Sequence, residues 1–192
     1  MYKKLVTFLV FSLLAPLAAF SADDPSRARL YIPVSTNATV SDCTTCEVKA
    51  SGYAAQYVFG FGLGLGVASS KAAITGDPSL GDYSYDSGPM INIGYTFGSD
   101  FTFTLGAGVG GSPSSDLKIS DSVYQKDWKI EGKSASNSFL GLGYNLGSIE
   151  ILLALRSVST TLEQSVTMLG IPIKAQVESS WSTTDIGIGF TF

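Results

Sequence analysis

Three ionisable side chains sit inside segments that otherwise alternate apolar residues with small or polar ones. Glu150 and Arg156 lie in the run 149–156, and Asp185 lies in the run 184–192. A period of two makes each run a β-strand with two unlike faces. By parity all three charges share the face opposite the apolar one. Gathered there, Arg156 can pair with Asp185 or with Glu150, which satisfies charge that would otherwise be buried alone. Carboxylates also serve as general acids and bases, but His, the commonest side chain in that role, is absent from the chain. We therefore expect an ion-pair network at Glu150, Arg156 and Asp185, and no catalytic site. Cys43 and Cys46 are the only thiols. Their spacing fits a disulfide that pins a tight loop in an oxidising compartment. A redox site would need a helix N-terminus, and a zinc site more ligands. No metal and no cofactor is expected.

The elements that must position these charges are strands. Six segments share the alternation. Tyr57, Phe59, Phe61, Leu63, Leu65 and Val67 lie on one face, with Gly60, Gly62, Gly64 and Gly66 opposite. The same pattern runs through 91–97, 101–110, 139–146, 149–156 and 184–192. Each is close to the ~9–11 residues that a tilted strand needs to cross hydrocarbon. Gly98-Ser99-Asp100 and Leu146-Gly147-Ser148 read as minimal hairpin turns. The connections 70–87, 111–135 and 158–182 read as long polar loops. Short turns at one end and long loops at the other describe a membrane β-barrel.

Composition agrees. A positive start (Lys3, Lys4) and the apolar run from Leu5 to Phe20 read as a secretory signal over 1–21. The remainder, 22–192, has the size of one domain. Without Lys3 and Lys4 it holds 10 basic and 16 acidic residues, a net charge of −6. A scattered acidic balance argues against nucleic acid as a partner. No segment of 22–192 has the apolar length of a membrane helix, so a membrane crossing has to be a closed barrel.

The stretch from Gly94 to Phe103, Gly-Tyr-Thr-Phe-Gly-Ser-Asp-Phe-Thr-Phe, resembles the hairpins of small OmpA/OmpX-like outer-membrane barrels. Ile188, Phe190 and the final Phe192 are similar to the signal such proteins present to the barrel-assembly machinery. The resemblance covers about residues 57–192. It implies an all-β, antiparallel, up-and-down barrel of eight strands in a bacterial outer membrane, monomeric and surrounded by outer-membrane lipid. None of the His-based catalytic sets of outer-membrane enzymes can be carried over. Six strands are evident, so two more must come from 22–56. Ala28–Ser35 is one candidate, weakened by Pro33, and Glu47–Ala55 is another. The alternative is that 22–56 forms a periplasmic arm or plug.

Beyond Ser157 the alternation continues but inverts. Val158, Leu162, Val166, Met168, Ile173, Val177 and Trp181 take the lumen parity, with polar residues outside. The last two strands should therefore rise above the membrane as one long hairpin with its apolar face turned inward. Two readings follow. The cluster closes the barrel mouth, leaving a structural or surface-interaction role, or it forms an apolar vestibule for a small hydrophobic ligand, as in OmpW-like barrels. Tyr83 and Tyr85 are expected as girdle residues at headgroup level, and Trp128 as an interfacial anchor. A soluble lipocalin-like barrel would put its apolar face inside and its glycines outside, a poor exterior.

Overall fold

A computed structural model describes residues 25–38, 46–78, 81–117, 129–168 and 171–192, with side chains placed for all but 166–168 and 171–172. The signal segment 1–21, Cys43 and Trp128 lie outside the described residues. Among the described residues there are ten strands: β1 (Arg27–Asn37), β2 (Glu47–Val58), β3 (Leu63–Asp77), β4 (Gly81–Asp86), β5 (Met90–Phe97), β6 (Phe101–Gly110), β7 (Ser114–Ser115), β8 (Lys129–Asn145), β9 (Ile149–Met168) and β10 (Ile171–Thr191). Eight of them form the wall, in the order β1-β2-β3-β5-β6-β8-β9-β10, every neighbour antiparallel, and β10 returns to β1. The remaining two, β4 and β7, prolong the wall upward, with β4 pairing to the top of β3 and β7 to β4. The first two wall strands do come from 22–56, at the places where alternation is weakest.

The sheet closes with a stagger that can be counted. Following paired residues once around, Ile149 leads to Phe190, Ala28, Tyr57, Leu65, Ile93, Ala107, Ser138 and back to β9 at Ser157. A stagger from 149 to 157 over eight strands corresponds to a tilt of ~35°, so each residue climbs ~2.7 Å along the barrel axis. The interior of such a barrel is just wide enough for side chains to fill.

Outward positions are apolar and exposed, among them Leu30, Ile93, Leu105, Leu142, Leu153 and Ile188. Inward positions are mostly polar, charged or small, with Tyr31, Phe139 and Leu152 as large apolar side chains among them. That inversion of a soluble protein is what a hydrocarbon surrounding demands, and closure pairs the wall's two ends at its lower depth, where β1 joins β2 from Arg27 to Tyr31. The apolar band ends at a common height. The next outward residues are Ser51, Ser69, Ser138 and Ser157, with Thr184 and then Ser182 on β10, all about seven to nine residue steps above the lower rim by the pairing register. This serine collar sits on β2, β3, β8, β9 and β10 and caps an apolar band ~20 Å tall.

Two expectations are corrected. The alternation over 57–67 predicts one strand, but the chain reverses at 59–62, where Phe59 N–H donates to Leu63 O and Gly62 N–H to Phe59 O, both 2.8 Å. Gly62 has φ +92, a conformation that a side chain would disfavour. The paired residues Val58 and Gly64 are separated by an odd number of residues, so the outward parity of Tyr57 carries over to Leu63 and Leu65 and hides the reversal. The supposed long loops are also largely strand: β3 runs to Asp77 and returns as β4, and β8 starts at Lys129. The minimal turns are as expected, with Gly98 and Gly147 at φ +86 and +89. The C-terminus lies at the rim of these turns, where Phe192 N–H donates to Ser26 O (3.0 Å) and Thr191 N–H to Ser148 O (3.1 Å).

Candidate functional site

The lumen is filled in layers. Lowest is a fully buried ion pair, with Arg29 Nη2 2.7 Å from Glu150 Oε1 and Arg29 Nε 2.8 Å from Glu150 Oε2. Threonines complete it. Arg29 donates to the hydroxyls of Thr96, Thr104 and Thr102 at 3.0, 2.8 and 3.1 Å, and Thr102 donates to Glu150 at 2.6 Å. Above this layer lie Tyr31, Gln56, Leu152 and Phe139. Gln56 is 7% exposed, and its amide has no hydrogen-bond partner among the described residues. The next layer is a second ion pair, Arg156 Nε to Asp185 Oδ2 at 2.9 Å, with Thr183 donating to Asp185 at 2.6 Å. The Arg156 guanidinium also stands 5.0 Å from the centroid of the Phe139 ring.

The lumenal glycines are sockets for these side chains. A Cβ on Gly106 would lie 2.2 Å from the Phe139 ring, one on Gly143 2.5 Å from Glu150 Oε1, and one on Gly187 2.9 Å from the Tyr31 ring. The space is therefore occupied from neighbouring strands. Over the second ion pair, Ala72, Met90, Ala135, Val158 and Trp181 pack into an apolar lid. Trp181 is fixed within it by its indole N–H, which donates to Ser70 Oγ at 2.8 Å.

Above the lid the mouth opens into a cavity of about 420 Å3. Trp181 contributes to its floor, Val48, Ile74 and Val177 to its sides, and Tyr83 and Tyr85 to a further wall. The two tyrosine rings stand nearly perpendicular, 87°, with centroids 5.6 Å apart. The Tyr83 hydroxyl makes a long contact of 3.5 Å with Asp77 and is pushed up to about 12, by burial first and then by Tyr85 and Asp77. By the pairing register the cavity lies about ten to fourteen steps above the lower rim, higher than the serine collar.

The chain was compared with known proteins. No protein-family model matches it, and no curated protein matches it. Solved structures do, among them these three. The outer membrane protein AlkL, in lipid bilayers, aligns over 90% of this chain and 92% of its own, with TM-score 0.53 and 14% identity. OprG from Pseudomonas aeruginosa aligns over 88% and 96%, with TM-score 0.50 and 14% identity. Neisserial surface protein A aligns over 87% and 96%, with TM-score 0.51 and 13% identity. The chain has the fold of the small eight-strand outer-membrane barrels. At these identities the likeness speaks for fold alone.

Within this barrel the residues singled out from sequence fall as follows. Arg156 and Asp185 meet, whereas Glu150 lies a layer below and pairs with Arg29. Arg29 was missed, although the candidate strand Ala28–Ser35 already puts it on the lumen parity. Val158, Leu162 and Trp181 are buried and Val177 is half-buried; the side chains of Val166 and Met168 lie outside the described residues. Ile173 departs from expectation. It is 49% exposed, because among the described residues β9 and β10 outreach their neighbours. On β1 the pairing with β10 ends at Asn37 and Ser182, and β8 begins opposite Ser165. Tyr83 and Tyr85 are not girdle residues. They belong to β4, which turns them into the mouth beside Ile74 and Ala72. Cys46 is disulfide-bonded. At the lower rim Ile188, Phe190 and Phe192 face outward, with the Phe192 ring 6.1 Å from that of Tyr57.

Proposed function

We propose that this chain is a closed, surface-anchored barrel of the bacterial outer membrane that acts at its extracellular face rather than as a pore. The observation that carries this reading is the uninterrupted stack from Arg29–Glu150 through Phe139 and Arg156–Asp185 to the Met90–Trp181 lid. Each layer is held by hydrogen bonds or close packing, and opening a path would unpair buried charge. Reconstitution in planar bilayers tests it. The expected record is free of conductance steps, and a stable open channel would refute closure.

A second reading is favoured by the mouth cavity. The lid seals the lumen below it but leaves about 420 Å3 above it, within the range of small-molecule sites. We infer that a small molecule with apolar surface binds there, over Trp181. With Trp128 replaced by Phe, Trp181 becomes the sole tryptophan. Titration with naphthalene should then change its fluorescence saturably. A linear, non-saturating response in the barrel's detergent or lipid would argue for partition into the surroundings alone.

A further inference from the structure

The lining of the mouth cavity narrows what it takes, given the small-molecule reading above. Three aromatic side chains, Tyr83, Tyr85 and Trp181, border one space. Among the described residues the only charged one that lines it is the exposed Glu178, and no described Lys or Arg does. Asp77 stands behind Tyr83. Burial keeps the Tyr83 phenol protonated, so its ring is a neutral π-system whose hydroxyl dipole is turned toward the Asp77 carboxylate. Aromatic faces backed by carboxylates attract cations, and most strongly where water is partly excluded. Val48, Ile74 and Val177 supply apolar wall, which disfavours a small, well-hydrated cation and suits one that carries alkyl groups.

We propose that the extracellular mouth is an aromatic cage for an alkylated organic cation of the quaternary ammonium class. The rings hold the charged head, and the aliphatic wall packs its alkyl substituents. The cation enters from water, because the cage stands above the serine collar and the lid closes it below.

The test compares choline with 3,3-dimethylbutan-1-ol, its uncharged isostere, on the full-length barrel carrying Trp128→Phe, read by Trp181 fluorescence. Choline should bind about tenfold more tightly than the alcohol. Replacing Tyr85 by Leu should weaken choline by about tenfold and leave the alcohol within a factor of about two, while Tyr85→Phe, which keeps the ring, retains the preference. Gel mobility without heating checks that each variant is a folded barrel, and Tyr85→Phe preserves the comparison if the Leu variant does not fold. Equal binding of choline and the alcohol overturns the cation proposal while leaving an apolar mouth intact. Binding of neither overturns both.

Discussion

Arg29 and Glu150 hold each other where neither meets water. Two charge-assisted contacts join them, and threonine hydroxyls take up the remaining donors, so the pair is satisfied as a unit. Removing one partner strands the other. We expect Arg29→Met to cost about 3–5 kcal/mol of stability, and the double variant Arg29→Met with Glu150→Met to recover most of it, since the expense lies in an unpaired buried charge. Urea unfolding of the barrel in lipid vesicles gives both values, and a double variant as unstable as the single one would contradict the argument. Parity alone was enough to put Glu150, Arg156 and Asp185 in the lumen. It could not say which of them meet, because alternation reports a face and carries no height. Height comes from the stagger of paired strands, which places Glu150 level with Arg29 and leaves Arg156 to Asp185. The cavity residues Tyr83 and Ile74 were hidden for a related reason. The segment 70–87 carries Gly, Ser and Asp at loop-like density, and only the ladders of β3 with β2 and β4 make it strand.

At the level of elements, β1 is the least regular wall strand. It pairs with β2 only from Arg27 to Tyr31, against Ala54–Val58. Above that, Pro33 has no N–H to offer, and the register with β10 shifts between Pro33 and Ser35. Across the seam β2 bends at Gly52, where a Cβ would lie 2.1 Å from the carbonyl oxygen of Ser69. The contact of Ala50 N–H with Thr36 Oγ1, 2.7 Å, spans the upper seam. The crevice left there, lined by Pro33, Gly52 and Tyr53 in the wall and by Arg156 and Asp185 in the lumen, measures about 10 Å3 and admits no ligand. The weakness shows in protection rather than in an opening. Amides of 34–37 and 51–53 should exchange with solvent deuterium at least about tenfold faster than those of 151–157, which have ladders on both sides. Equal protection would mean that the seam is bridged. Pro33 announced this weakness in the sequence, where it argued against a central strand. The finding is that a wall strand tolerates it where one of its two ladders has ended.

For the whole molecule, the serine collar decides where the barrel sits. Below it, outward residues are Leu, Ile, Val, Ala and aromatic for the most part, down to Phe101, Phe190 and Phe192 at the turn rim. Above it stand Lys49, Lys71, Glu163 and Lys174, the last two joined at 2.8 Å in the exposed β9–β10 hairpin. If the collar is the upper edge of hydrocarbon, an arginine should be costly at Leu153, about four steps above the lower rim, and cheap at Ser157, four residues further up the same strand. The expected penalties are about 2–4 kcal/mol for Leu153→Arg and about 0–1 kcal/mol for Ser157→Arg. Urea unfolding in phosphatidylcholine vesicles measures both on one scale. The comparison also bears on the mouth. The aromatic cavity lies above the collar, so a cheap Ser157→Arg places that cavity in water, open to a dissolved ligand. Equal penalties at the two positions would raise the hydrocarbon past Ser157 and bring the cavity's wall to the lipid, and a ligand would then have to arrive through the membrane.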